Sequence, residues 1–231
     1  MMKKIDDLDE AIKKEYGKKA IFDGITNMSK FKGTSPKILW ILKEANNSHT
    51  DNPSENQRDF HADVTCYPKW RYTFKRIISC SYAMINGKLS SNKMPWVDDD
   101  ATIDGENVML NIALININKC GGESRSKKSQ IVATYEKHKD FILRQIEQIN
   151  PDVIINCSGV ESLIDDLQEK FGLIPMETRK ADCYYSNFKL LIDYCHPNST
   201  RKGKKGLKDK KYYKDIVGSY IEWKELPPLK K

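Results

Sequence analysis

The stretch KILWILKEANNS, Lys37 to Ser48, runs from an unbroken apolar segment, Ile38 to Leu42, straight into polar residues. A run this short and apolar at every position reads as a strand buried on both faces, the kind found in parallel sheets covered by helices. Three more stretches repeat the layout: NIALININKCGG (Asn111 to Gly122), DVIINCSG (Asp152 to Gly159) and KLLIDYCHPNST (Lys189 to Thr200). In an open parallel sheet the carboxyl ends of the strands face one crevice, and ligands bind there, where strand order reverses. Three of the four runs end in groups suited to chemistry: Glu44, Asn116 with Lys119, and His196.

Between these runs lie helical patterns. Leu8, Ile12 and Tyr16 recur at helical spacing over Asp6 to Tyr16, with Gly17 as the stop. Trp70, Phe74, Ile77, Ile78 and Met84 predict a helix near Lys69 to Met84, the first crossover. Ile131, Tyr135, His138, Ile142, Ile146 and Ile149 form a regular stripe that ends at Asn150 and Pro151, and His138 on that stripe reads as structural. Val160, Leu163, Ile164, Leu167 and Phe171 form another, closed by Gly172. Tyr212 to Trp223 adds a last helix, whereas Asn46 to Cys66 and Gly87 to Asp104 read as loops. Strands alternating with helices imply parallel pairing with helices on both faces. The expected fold is a three-layer α/β/α domain with a central four-stranded parallel sheet. One domain spans 1–231, with its core at about 35–223, residues 1–34 as a helix and lead-in, and 224–231 as a basic tail.

Apolar residues make up 39% of the 231 and charged residues 31%, which places the chain among folded proteins rather than disordered ones. The amino terminus is charged throughout, and no run approaches the length of a membrane span, so a cytoplasmic protein without membrane contact is expected. Six cysteines, at 66, 80, 120, 157, 183 and 195, include no CxxC pair and read as reduced structural thiols, not as disulfides or a metal site. The net charge of +7 gathers into KCGGESRSKK (Lys119 to Lys128) and RKGKKGLKDKKYYK (Arg201 to Lys214). Such clusters, directly after strand ends, suit phosphate contacts but also suit a solvated face. Nothing in the sequence fixes an oligomeric state, and a monomer is the expectation.

With the motifs at strand ends, the chain resembles the uracil-DNA glycosylase superfamily, most closely its thermophile-type branch. The GEAPG-like turn of that branch is matched by LKEAN, Leu42 to Asn46; its TNVVKC-like segment by ININKC, Ile115 to Cys120; its PxVIVxLG segment by Pro151 to Gly159, one residue longer here; and its HPS by His196, Pro197 and Asn198. The resemblance spans Lys37 to Ser199, in the family's order. Lys43, Asn46 and Asn47 stand where the first motif has glycines and proline, so the close backbone approach that glycine allows is altered. That branch holds an iron–sulfur cluster, two of whose cysteines form a CxxC near the amino terminus. No cysteine here precedes Cys66, so neither cluster nor other cofactor or metal is expected.

The resemblance implies hydrolysis of the N-glycosidic bond of uracil, or a related deaminated or damaged base, after the nucleotide is flipped out of DNA. Glu44 would hold the attacking water and stabilise the sugar cation; the alternative is a carboxylate that satisfies the turn beside it. Ala45 and Asn46 of the same turn would border the base. The Asn116 amide, with its donor pair and acceptor, would read a pyrimidine edge; the alternative is a buried asparagine held by its neighbours. His196 would donate a hydrogen bond to the departing base, or else be a loop histidine held by Pro197. Phe60 would stack on the flipped base, with Tyr67 in reserve, or simply pack the loop; His49 and His61 lie in the same loop. Leu207 is the candidate wedge into the duplex, and Lys119, Arg125, Arg201, Lys202, Lys204 and Lys205 are candidate phosphate contacts.

Two other readings stand beside this one. The first is a member of the superfamily that has lost catalysis and binds nucleic acid. The second is an enzyme acting on a small nucleotide or nucleoside, for which the basic loops are incidental.

Overall fold

The computed structural model describes residues 2–17, 20–46, 57–66, 69–90, 93–122, 127–178, 180–199 and 208–229. Its centre is a seven-stranded mixed sheet: β1 (Gly24–Ile25), β2 (Ile38–Asn46), β3 (Ala113–Gly122), β4 (Val153–Asn156), β5 (Ile174–Met176), β6 (Asp182–Tyr185) and β7 (Leu190–Asp193). The order across the sheet is β1-β3-β2-β4-β7-β6-β5. The four expected strands are all present and mutually parallel as β3-β2-β4-β7. They do not make the whole sheet: β1 adds antiparallel to β3, and β6 and β5 add antiparallel beyond β7. The expectation of a four-stranded parallel sheet is corrected accordingly. The outer strands have two to four residues each and carry too few positions to display a period.

The apolar run of β2 explains why it sits centrally. Ile38, Trp40 and Leu42 face one layer of the core, and Leu39 and Ile41 the other, as the two-residue period of a strand requires. Trp40 is wholly buried, and its indole N–H donates to Ser81 Oγ at 3.0 Å, so its one polar atom is satisfied.

Seven helices complete the described chain: α1 (Met2–Tyr16), α2 (Met28–Gly33), α3 (Gln57–Ala62), α4 (Phe74–Ile85), α5 (Lys128–Ile149), α6 (Glu161–Phe171) and α7 (Asp209–Glu225). Residues of α4 and α7 cover one sheet face and residues of α2, α5 and α6 the other, giving the expected three layers. Gly17 and Gly172 have φ of +57° and +60°, the left-handed conformation that ends a helix, and Asn150 does the same for α5 at +47°. The lead-in before residue 35 is part of the core, since Ile12, Ile21 and Phe31 are fully buried and β1 pairs with the sheet. The Asn46–Cys66 stretch contains α3 and a short 3-10 turn at Val64–Cys66 within its described part. No helix among the described residues is long and apolar enough to cross a membrane.

From β2 the chain passes to β3 on one side, then crosses back through α5 to β4 on the other. The reversal places β2 and β4 at the switch point, with Glu44 and the Asn156-Cys157-Ser158 segment at their carboxyl ends.

Candidate functional site

Glu44 occupies the last regular position of β2, directly across from Asn118 of β3, and the register then slips between Glu44 and Asn46. The slip ends ladder pairing at the point where the strand gives way to the loop, as a bulge does. Asn118 Nδ2 donates to Glu44 Oε2 at 3.2 Å, and Asn118 Oδ1 accepts from the Cys120 N–H at 3.1 Å. Both ends of the amide are used, so its orientation is set and that of Glu44 with it. Both side chains are half-buried.

His196 follows β7 at the same end of the sheet. Its Nδ1 accepts the Asn198 N–H at 3.2 Å, which puts the proton of the neutral ring on Nε2. Burial, aided by the Lys43 ammonium, holds its pKa down to about 4. The ring is therefore neutral at pH 7 and presents an Nε2–H donor. Lys43 belongs to β2 and its charge reaches His196 beyond β7, and since β2, β4 and β7 run parallel, Glu44 and His196 both follow carboxyl ends on the same edge of the sheet.

Asn116 behaves differently. It is 2% exposed; its backbone N–H donates to Asp23 Oδ2 at 2.7 Å and its Nδ2 to the same oxygen at 3.3 Å. Lys119 is fully buried, with Nζ 2.7 Å from Asp23 Oδ1. Its ammonium is desolvated, which lowers its pKa against the pull of Asp23. Lys119 is thus no surface phosphate contact, and Asn116 is committed to Asp23. Gln145 of α5 donates to Asp23 Oδ1 at 3.1 Å. Arg58 of α3 donates to the Asp23 carbonyl at 3.2 and 3.0 Å and forms a bidentate pair with Asp9 of α1, both contacts at 2.7 Å. Asp23 thereby joins α1, α3, β3 and α5 in one buried knot. Its distance in sequence from every partner left no pattern to find it by.

Phe60 of α3 packs with ring centroids 5.7 Å from Phe74, tilted by 67°, and adjoins the core on the α4 side. The ring stays partly exposed. His61 beside it is 2% exposed, its Nδ1 has no hydrogen-bond partner, and burial holds its pKa at about 4. Ala45 is buried in β2 and Asn46 ends that strand. The side chain of Asn46, together with Asn47, Ser48, His49, Tyr67, Arg125, Arg201, Lys202, Lys204, Lys205 and Leu207, lies outside the described residues.

A second polar cluster sits where β4 and β7 end. Asn156 Nδ2 donates to Asp193 Oδ1 at 2.7 Å, and Asn156 Oδ1 accepts from the Ser158 hydroxyl at 2.7 Å. Burial raises the Asp193 carboxyl to about 6. Asp193 borders a polar cleft of about 440 Å³ with Thr178, Lys180, Asp182, Tyr194 and Cys195. A charged residue at the end of the apolar run before His196 was the available signal for it. Cys80, Cys157 and Cys183 are buried thiols, and no cluster of metal-ligating side chains occurs among the described residues.

No protein-family model matches this chain, and no curated protein matches it in sequence.

Proposed function

We propose that the chain is a hydrolase of N-glycosidic bonds in DNA, acting on uracil or a related deaminated or damaged base. The observation that carries the reading is the presence, on the same carboxyl edge of the parallel strands, of a carboxylate oriented by an amide (Glu44 and Asn118) and a neutral imidazole that offers an Nε2–H (His196). The order of the strand-end motifs supports it. In the reaction the C1′–N bond breaks with its electron pair passing to the base. A water oxygen bonds to C1′, and the water's proton passes to Glu44. Glu44 also faces the positive charge that builds on the sugar, and His196 donates to the negative charge that builds on the base. That charge exists only in the transition state, so a donor fixed beforehand lowers the barrier selectively.

The commitment of Asn116 to Asp23 favours a second reading, a nucleic-acid-binding member of the same class without catalysis. Incubation with single- and double-stranded oligonucleotides bearing uracil, hypoxanthine or xanthine, followed by alkaline cleavage, separates the two readings. Base release that is absent in a Glu44→Gln His196→Ala protein supports the hydrolase; salt-sensitive binding without release supports the second reading.

A further inference from the structure

Few large apolar side chains stand open on this surface, and two of them, Tyr72 at 66% and Trp96 at 70% exposure, flank the same cleft. The cleft, about 320 Å³, is lined by Arg71, Tyr72, Lys75 and Arg76 from the α4 end and by Pro197, Asn198 and Ser199 from the segment that carries His196, with Asp209 at the start of α7. Trp96 stands at its rim, since Lys75 Nζ lies 5.5 Å from the Trp96 ring centroid and Arg71 donates to the neighbouring Val97 carbonyl at 3.1 Å.

We propose that this cleft binds unpaired nucleotides of a nucleic-acid strand, with bases stacked on Tyr72 and Trp96 and the sugar-phosphate chain running over Lys75, Asn198 and Ser199. The inference deepens the reading above and rests on it for the choice of nucleic acid as ligand. Stacking on exposed aromatics interleaved with cations is how single strands are held without sequence preference. Arg76 is the fixed wall, 9% exposed, donating to the Pro197 carbonyl at 2.7 Å and to Asp209 at 2.9 Å. Lys75 and Arg71 are the adaptable cations. The pairs Lys75–Asp209 and Arg71–Asp99 are solvent-accessible, and exposed pairs are weak enough for a phosphate to replace the carboxylate. Asp98, Asp99 and Asp100 are exposed beside Trp96 and repel phosphate there, which leaves the Ser199 side for the chain. A duplex keeps its bases stacked on one another and gives the two rings nothing to stack on, so single strands are preferred.

The test is fluorescence anisotropy with labelled oligothymidylate of about twelve nucleotides, which contains no excisable base and fits the span such grooves cover. Tyr72→Ala and Trp96→Ala are each expected to weaken binding by roughly five- to 150-fold. Phe188→Ala, which removes an equally exposed ring elsewhere, leaves binding unchanged, and the matching duplex binds more weakly than the single strand. Wild-type affinity in a Tyr72→Ala Trp96→Ala protein, or equal affinity for duplex and single strand, overturns the proposal. Loss of binding in the ring variants of a protein that releases no base upholds the cleft and sinks the hydrolase; release by a protein whose ring variants bind normally does the reverse.

Discussion

Asn118 and Glu44 face each other across β3 and β2, the amide donating to the carboxylate at 3.2 Å while its oxygen is held by the Cys120 N–H. The pair fixes a carboxylate at the mouth of the switch point. Replacing Asn118 by alanine removes one hydrogen bond to a charged group, worth about 1.5–3 kcal/mol. The expected result is base release slowed roughly 10- to 150-fold, with a lower urea midpoint as well, since the same bond is lost from the folded state. An equal rate in the variant would leave Glu44 oriented by something else.

His196 in its neutral form accepts the Asn198 N–H at Nδ1 and donates through Nε2. Removing a donor of this kind costs about 100- to 1,000-fold in rate, so His196→Ala is expected to lose that much of kcat. With its pKa held at about 4, the imidazole stays in one protonation state from pH 6 to 8. The pH–rate profile should therefore lack the inflection near 6.5 that an ordinary histidine gives; such an inflection, lost in His196→Gln, would show the ring titrating.

Stability on acidification follows from His61, His196 and Asp193. Each histidine is depressed to about 4, so between 6.5 and 4 the unfolded chain binds protons that the native state refuses. The stability they contribute is complete above 6.5 and is lost as pH falls toward 4. Asp193, raised to about 6, takes up a proton in the native state first and opposes this trend between 6 and 3.8. Urea midpoints should fall from pH 6.5 to 4 in the wild type, fall less in His61→Phe, and fall more steeply in Asp193→Asn. A flat wild-type profile would contradict the burial of both histidines.

The Asp23–Lys119 pair is wholly buried, and breaking such a pair leaves an uncompensated charge at a cost of about 3–5 kcal/mol. Asp23→Ala should lose that much stability in urea unfolding. Lys119→Met should leave the salt dependence of DNA binding unchanged, since a lysine inside the sheet touches no phosphate; a slope reduced by about one would place it on the DNA.

The parallel centre of the sheet was legible because its strands are apolar on both faces and end in abrupt polarity, and α4 to α7 because their stripes are long enough to show a period. The edge strands were not, being too short, and which residue meets which is not a local property. ININKC shows the difficulty: Asn116 and Asn118 share one side of β3, and nothing in the hexapeptide says that Asp23, more than ninety residues earlier, takes the first and leaves the second for Glu44. Lys119 reads as surface for the same reason, since a lysine at a strand end is exposed unless a distant carboxylate is brought to it.

The Arg58 tie to Asp9 and to the Asp23 carbonyl means that α3, which carries Phe60 and His61, is moored to the chain's first helix as well as to the sheet. A chain begun at residue 20 would retain every strand-end residue and the whole parallel sheet, yet its α3 would lose the bidentate hawser to Asp9. Amino-terminal trimming, ordinarily harmless, would here loosen the helix that carries Phe60 and His61 while leaving the parallel sheet intact.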